Sequence, residues 1–502
     1  MTPASAAAPA LTAGPEDYHQ LRAVLAAANY TDEGVVKTLG MDTLTRLQEK
    51  RIPVLLRRTN GGTPLETLIR LFILGQPVDA SAARAALAPM TPEKCVAMGL
   101  IEIAASEVRA LVQLRCYQGM VVAYDFTRRG PGGLRGDYVM GVSASSLVLA
   151  GMTVRRQVNA ALDLGSGCGI EAFLAARHSR RVVAVDYNPR AVAMTRFNAA
   201  LNQLDNVECR QGDMFAPVAG EAFDLIVSNP PFIISPDHSH MFLNSGTDGD
   251  DACRRIVKQA PRFLEEDGYC IFNANWEVAE GEDWRNRLAG WFEGSGCDGL
   301  ALHHGTKEPA EYAAQWIETG SEEPAEFQRA LDRWMNYYAA RRISGLAAGV
   351  IVMRRASGRA NWFAADSAPP GLAVSAGSDV ERMVEARTFL HSLSHPDDLL
   401  ESRLRLAPGV RLEQILEREA GAAASNWRAI SSRLLRKGGL EYIGKIDAPG
   451  AAMLLRCDGS RPIREHLQEL AAEVGIDMSA FAGPALEIVR RLLEQGFVER
   501  VL

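Results

Sequence analysis

The segment Ala161-Leu162-Asp163-Leu164-Gly165-Ser166-Gly167-Cys168-Gly169-Ile170 constrains this chain more than any other. An apolar strand runs into a turn with glycine at three alternate positions, and a helical stretch follows. Glycine is required where a backbone bends sharply and must let another group approach with no side chain in the way. In an open parallel sheet such a turn lies at the carboxyl ends of the strands, where ligands bind.

The surrounding pattern agrees with a parallel sheet. From residue 159 onward, strands predicted at Ala160–Leu164, Val182–Asp186, Val207–Arg210, Leu225–Ser228, Tyr269–Asn273, Gly299–His303 and Gly349–Met353 alternate with helical segments at Glu171–Arg177, Pro189–Leu201 and Ala252–Leu264. Alternation of this kind implies an α/β fold, a seven-stranded doubly wound (Rossmann-like) sheet with helices on both faces. The domain spans 138–355. The second strand ends in Asp186, 17 residues after Gly169, where a carboxylate can accept both hydroxyls of a ribose. The Gly-x-Gly-x-Gly spacing differs from the Gly-x-Gly-x-x-Gly used for a pyrophosphate. The third strand leads to Gly212-Asp213-Met214, where an acid can bind the exocyclic amine of an adenine, and the fourth ends in Asn229-Pro230-Pro231-Phe232.

Taken together, Asp163 to Gly169, Asp186, Asp213 and Asn229 to Phe232 resemble the amino-methylating class I methyltransferases. The resemblance covers residues 138–355 and implies S-adenosyl-L-methionine as cofactor, held by Asp163, Gly165, Ser166, Gly167, Gly169, Asp186, Tyr187, Asp213, Met214 and Asn229. It implies methyl transfer to a planar nitrogen at Asn229, Pro230, Pro231 and Phe232. The chemistry of that last motif can be stated from the residues alone. A nitrogen attached to a carbonyl or an aromatic ring has a delocalised lone pair and is a poor nucleophile. Two acceptors, the Asn229 side-chain oxygen and the Pro230 carbonyl, can hold its hydrogens and aim the lone pair at the methyl group. The fixed backbone of Pro230 and Pro231 preorganises the turn, and Phe232 offers a flat face to a planar group.

Two features bear on the substrate. The run Asn244 to Asp251, followed by Arg254, Arg255 and Ile256, is similar to a loop and helix of the release-factor glutamine methyltransferases, which favours a protein amide. Those enzymes usually carry Tyr where this chain has Phe232, and Phe there is common among ribosomal-RNA base methylases. The strand after the loop ends Asn273-Ala274-Asn275-Trp276, without an acidic end. The expected partner is therefore a protein, a translation factor or ribosomal protein, with structured RNA as the alternative. A regulatory module that only binds S-adenosylmethionine is the alternative outside enzymology, and intact Asn229 and Pro230 argue against it.

The flanks read differently. Met1 to Pro15 is rich in Ala and Pro, lacks the plan of a signal peptide, and reads as a disordered tail on a cytoplasmic protein. Residues 16–127 combine helices (Leu21, Val24 and Leu25; then Pro64-Leu65 through Leu68 and Phe72) with a small sheet between Gly99 and Phe126. That order suits a winged-helix-like module. Arg128 to Gly136 reads as a linker, with Arg128, Arg129 and Arg135 a local basic stretch. Residues 379–502 form a second winged-helix-like module. Within it, Arg382–Leu393 and Arg411–Ala420 read as helices, and Ile463–Val501 as two helices and a terminal strand. The run Leu454 to Ile463 resembles small winged-helix modules with a leucine–aspartate–glycine–x–arginine core.

Composition removes several function classes. No apolar run approaches the roughly 20 residues of a membrane span. Residues 1–137 hold 15 Lys and Arg against 13 Asp and Glu, and residues 356–502 hold 18 against 20. The whole carries −7, all of it in the middle domain, so there is no basic footprint for a phosphate backbone. The eight cysteines and nine histidines show no ligand spacing, so no metal is expected. Oligomeric state is not legible.

Overall fold

The structure is a computed structural model that describes residues 11–44, 49–127, 135–237, 248–317, 324–369, 376–418 and 427–501. It divides into two compact units, each discontinuous in sequence. One comprises Met1–Leu147, Gln157–Trp291 and Thr306–Ala348, and the other Val148–Arg156, Phe292–Gly305 and Gly349–Leu502. The expected 1–15 tail and the linker at 128–136 fall largely outside the described residues.

The chain opens with helices α1 (Pro15–Ala27), α2 (Asp32–Leu39), α3 (Ile52–Arg58) and α4 (Pro64–Phe72). The start of α4 is written in its sequence. The Thr63 hydroxyl accepts from the Glu66 N–H, the Glu66 carboxylate accepts from the Thr63 N–H, and Pro64 fills the first helical position. Then follow β1 (Val78–Asp79), α5 (Ala80–Leu87), α6 (Pro92–Ala97), β2 (Ile101–Ala104) and β3 (Glu107–Ala110). The three strands form an antiparallel sheet in the order β1-β3-β2, and β4 (Gln113–Tyr117) and β5 (Met120–Tyr124) form a separate hairpin.

The α/β region contains α7 (Ala144–Met152), β6 (Val158–Leu164), α8 (Ile170–Ala176), β7 (Ser179–Asp186), α9 (Pro189–Leu201), β8 (Val207–Gln211), β9 (Phe223–Ser228) and α10 (Asp251–Gln259). It continues with β10 (Leu264–Ala279), α11 (Trp284–Phe292), β11 (Cys297–Lys307), α12 (Pro309–Ile317), α13 (Pro324–Ala340), β12 (Ile343–Arg355) and β13 (Phe363–Ser367). The main sheet has the order β13-β11-β12-β10-β9-β6-β7-β8. All seven expected strands lie in it, and it has eight strands, not seven. The eighth, β13, comes from a stretch rich in small residues, has no apolar alternation, and is defined by its parallel backbone pairing with β11, Gly299↔Phe363 through His303↔Ser367. Strands β10, β9, β6, β7 and β8 pair in parallel throughout.

Two asparagines couple the hairpin β4–β5 to this sheet's helices. Asn198 on α9 and Asn202, which caps its end, lie one turn apart, and each reads the backbone of an alternate residue on β5. Asn202 accepts from the Val121 N–H at 2.9 Å and donates to its carbonyl at 2.8 Å. Asn198 does the same to Ala123, at 2.8 and 2.9 Å, and also donates to the Cys168 carbonyl in the glycine turn. The helical repeat of four residues, about 6 Å, nearly matches two residues of strand. The amides thus act as a surrogate neighbouring strand, satisfying an edge that otherwise would be buried without partners.

The second unit contains α14 (Gly377–Ser392), β14 (Arg403–Leu406), β15 (Val410–Arg418), β16 (Trp427–Arg436) and β17 (Ile443–Lys445). It ends with α15 (Ala448–Arg456), β18 (Asp458–Pro462), α16 (Ile463–Val474), α17 (Met478–Glu494) and β19 (Val498–Arg500). The two helices and terminal strand expected in 463–501 are α16, α17 and β19. The helix expected at Arg411–Ala420 is instead a strand, β15, paired antiparallel with β16 in the sheet β15-β16-β17. Leu412, Ile415 and Leu416 imitate helical spacing, but cross-strand pairing over nine residues outweighs a weak local preference. The other small sheet has the order β18-β14-β19, so an upstream strand sits between two from the terminal segment.

Asn198→Ala is expected to leave the Ala123 N–H and carbonyl and the Cys168 carbonyl unpaired in a buried setting, at a cost of about 2–4 kcal/mol. Denaturant unfolding should show that loss together with faster amide exchange at Ala123. Unchanged exchange there would refute the surrogate-strand role.

Candidate active site

Strand register alone brings the motif residues to one rim. Leu164 pairs with Ser228 and with Val185, Asp186 pairs with Gln211, and Phe272 pairs with Ser228. The carboxyl ends of β9, β6, β7 and β8 are therefore adjacent and carry in that order Asn229, the glycine turn, Asp186 and Asp213, with Asn273 beside Asn229 from the middle of the longer β10. With strands about 4.8 Å apart, Asn229 to Asp213 spans roughly 14 Å of rim.

The turn is rigidly braced from β7. Gly165, Gly167 and Gly169 all adopt left-handed backbone, with φ of 77°, 55° and 90°. The Gly165 and Ser166 N–H groups donate to the Val185 carbonyl at 2.8 and 3.0 Å. The Gly167 N–H donates to Asp186 Oδ2 at 2.8 Å, and the Asn188 N–H donates to Asp186 Oδ1 at the same distance. A side chain at Gly169 would collide with the rings and methyl of Phe173 and Thr195, which packs the helix start against the sheet. A side chain at Gly165 would meet nothing within 4 Å, so the outer surface of the turn faces open space.

The remaining expected cofactor residues fall into two groups. Asp163 and Ser166 are buried. The Asp163 carboxylate accepts from the Ala172 N–H at 2.9 Å, capping α8 from beneath, and its other oxygen has no hydrogen-bond partner. Ser166 directs its hydroxyl at Thr195. Both shape the turn from inside. Tyr187 is 66% exposed, Asp213 is exposed with a 3.4 Å contact from Arg255, and Met214 has a left-handed backbone with φ of 49°. Burial raises the Asp163 carboxyl to about 7, with Asp186 adding to the effect. Burial also raises Asp186, against the backbone N–H bonds that favour its charge.

The second half of the site centres on one amide. The Ser145 carbonyl can only accept, so the atom of Asn273 lying 2.9 Å from it is Nδ2. That same Nδ2 lies 2.9 Å from the Asn229 amide, whose facing atom must then be the acceptor Oδ1. Asn229 Nδ2 turns the other way and donates to the Ser145 hydroxyl at 3.1 Å. Asn229 Oδ1 is thus fixed in place with a lone pair to spare. Neither Asn273 nor Ser145 was singled out from sequence. Asn273 stood out only as the place where an acid was missing, and the Ser143 to Ser146 run gives no more than a helix-start signal.

The segment after Phe232 is held by the helical insertion α12–α13. The Ile234 N–H donates to the Tyr312 hydroxyl at 3.2 Å, and the Tyr338 hydroxyl donates to the Ile234 carbonyl at 2.8 Å. Asn275 Nδ2 also donates to the Tyr312 hydroxyl, at 2.7 Å. Trp334 Nε1 donates to Asp237 at 2.7 Å, and the Gly249 N–H donates to the Tyr337 hydroxyl at 2.9 Å. Ile233, Ile234, Tyr312, Trp334 and Tyr338 share one apolar cluster, and half-buried Phe232 packs on it. The expected loop at Asn244–Thr247 lies outside the described residues, and only its end, Asp248 to Asp251, is placed.

Residues 142–282 match the family model described as methyltransferase small domain. A release factor glutamine methyltransferase from Xylella fastidiosa is 34% identical over 202 residues, 36% of this chain and 71% of that protein. The chain belongs to the methyltransferase family of this relative. A ribosomal protein uL3 glutamine methyltransferase from Xanthomonas campestris is 34% identical over 139 residues, covering 25% of this chain and 44% of the relative. Among solved structures, a methyltransferase from Pyrococcus furiosus aligns at a TM-score of 0.29 and 15% identity, over 46% of this chain and 89% of that one. Residues 27–111 and 381–500 match two models, each described as a domain of unknown function. The methyltransferase's cofactor is S-adenosyl-L-methionine. The turn has open space outside Gly165 and an acceptor carboxylate, Asp186, at the adjoining strand end, which suits such a group.

Cofactor affinity should depend on pH in a definite direction. Asp163 has a folded pKa near 7, well above its ordinary value, so it is protonated in mild acid and ionised above neutrality. A cation binds the ionised form better, so affinity should rise as pH rises through about 7 and flatten beyond. Calorimetry from pH 5.5 to 8.5 checks this, and Asp163→Asn should flatten the profile. Tyr338→Phe removes one bond to Ile234 and is expected to lower kcat roughly three- to tenfold while cofactor affinity stays unchanged. An equal loss of both would reduce Tyr338 to a structural role.

Proposed function

We propose that this methyltransferase transfers a methyl group to the side-chain amide nitrogen of a glutamine in a protein of the translation apparatus. The observation that carries the reading is the Ser145–Asn273–Asn229 relay, which leaves one amide oxygen oriented as a fixed acceptor at the rim. A primary amide nitrogen has two hydrogens and a lone pair delocalised into its carbonyl. Asn229 Oδ1 and the Pro230 carbonyl accept the two hydrogens, and the lone pair is turned out of conjugation toward the methyl. The cofactor, when bound, supplies a methyl on cationic sulfur. The glycine turn and Asp186 would hold its amino-acid end and ribose, with Asp213 toward the base and Tyr187 and Met214 beside it. No general base is needed, because the methylated nitrogen releases its proton to water. Proximity and alignment supply much of the remaining acceleration.

The relatives named for release factor and for ribosomal protein uL3 support a protein amide, as does the acidic balance of the middle region. The order α4-β1-α5-α6-β2-β3, with its sheet β1-β3-β2, supports a winged helix before the catalytic region. The order α15-β18-α16-α17-β19, with β14 as the third strand, supports a permuted one after it. We take these flanks, residues 16–127 and 379–502, to recognise the substrate beside the 138–355 catalytic region. A second reading, an adenine or guanine amine in RNA, is favoured by the Phe232 ring beside the acceptors. Among the described residues no helix is long and apolar enough to cross a membrane, and no group of His, Cys, Asp and Glu is placed to hold a metal. The proposed setting is the cytoplasm.

Radiolabelled methyl transfer into a lysate, split between ribonuclease and protease, separates the two readings: label lost to protease alone supports the amide, and label lost to ribonuclease alone overturns it. Asn229→Ala should reduce turnover roughly a hundredfold or more with little change in cofactor affinity. Asp186→Ala should do the reverse, weakening the cofactor chiefly, and Asn273→Ala should cost kcat roughly tenfold. Near-normal turnover in Asn229→Ala would sink the mechanism.

A further inference from the structure

The strand β15 is the outer edge of the sheet β15-β16-β17, and its far side has no strand beside it among the described residues. Every residue from Glu413 to Arg418 is exposed, including Ile415 at 58% and Leu416 at 50%. On β16, Trp427 is 58% and Ile430 is 50% exposed. A nine-residue edge with apolar side chains is a template for another strand, and proteins that keep such an edge single usually shorten it or line it with like charges. This one is nine residues long with charges of both signs, and its pairing with β16 shifts register between Ile415 and Leu416. Arg411 and Glu417 stand at equal distances on either side of Gln414, as do Leu412 and Leu416.

We propose that β15 pairs antiparallel with β15 of a second copy of this chain about a two-fold axis at Gln414, joining two three-stranded sheets into one of six strands. In that register Arg411 lies opposite the second copy's Glu417, and Leu412 opposite its Leu416, each pair occurring twice. Opposite residues in such a pair lie on the same face, so these two kinds of pair match, while Glu413 falls opposite Ile415 and Val410 opposite Arg418. Two strands using the same edge can shift only by an even step, because alternate residues present their backbone groups outward. A shift one way sets Glu413 opposite its own copy, and a shift the other way sets it opposite Glu417. Both place like charges face to face, so the charge pattern selects the proposed register. Glu413 already pairs with Arg433 across the hairpin at 3.0 Å, whereas Arg411 and Glu417 have no ion pair among the described residues. The interface is isologous, the commonest form for soluble homo-oligomers.

The test is sedimentation velocity of the full chain over roughly 1–100 μM, with variants at the matched positions. The wild type should be a dimer at the upper end. Arg411→Glu should weaken the dimer roughly tenfold or more, because it creates two repulsive pairs. Glu417→Arg should do the same, and the double exchange should restore it. Gln414→Cys, at the axis, should oxidise to a covalent dimer, since facing Cα atoms in an antiparallel pair lie within disulfide reach. The eight native cysteines are buried apart from half-buried Cys209, so the wild type serves as background. A wild-type monomer throughout, or a dimer indifferent to charge reversal and without Gln414→Cys cross-linking, overturns the proposal. Circular dichroism of each variant separates loss of pairing from loss of fold.

Discussion

A carbonyl oxygen has no proton to give, and from that fact at Ser145 the polarity of the whole acceptor site follows. Ser145 fixes which end of Asn273 faces it, and Asn273 fixes which end of Asn229 faces outward. An amide flipped at either position would put donor against donor, an arrangement that costs the full desolvation of a polar group. The proposed catalytic amide of Asn229 is therefore oriented by three hydrogen bonds drawn from three distant parts of the chain: the start of α7, the end of β9 and the middle of β10.

The cofactor side uses the same economy of hydrogen bonds. Val185 and Asp186 occupy the N–H groups of Gly165, Ser166 and Gly167, so the shape of the turn is fixed by the neighbouring strand. Asn198 extends this bracing outward. It sits on α9, accepts and donates along β5, and still reaches the Cys168 carbonyl within the turn. The amino-terminal hairpin is thereby part of the frame that shapes the glycine turn, and a change in β5 would be felt there through a single buried side chain.

The insertion between β11 and β12 solves a different problem. Two consecutive prolines at 230 and 231 lack N–H groups, so the chain after them cannot simply join the sheet ladder. Tyr312 and Tyr338 satisfy both backbone groups of Ile234 from outside the sheet, and Trp334 and Tyr337 hold Asp237 and Gly249 from the same helix. Phe232 is then set at the rim by packing on that cluster.

What the sequence by itself determined was everything carried by local periodicity and by strand ends. Alternating strands and helices, three spaced glycines and an acid or asparagine after successive strands defined the sheet and its functional rim, because each motif is read within one βα unit. The small strand β13 was not legible, since only its pairing with β11 defines it. The false helix at Arg411–Ala420 arose because Leu412, Ile415 and Leu416 recur at helical spacing, and only pairing with the partner strand β16 overrides it. Tertiary structure alone decided that Asp163 and Ser166 face inward, that Asn273 orients Asn229, and that two tyrosines about 80 and 100 residues downstream hold Ile234. Those are long-range pairings between polar groups. A sequence shows which donors and acceptors a chain possesses, whereas the folded backbone determines which of them meet.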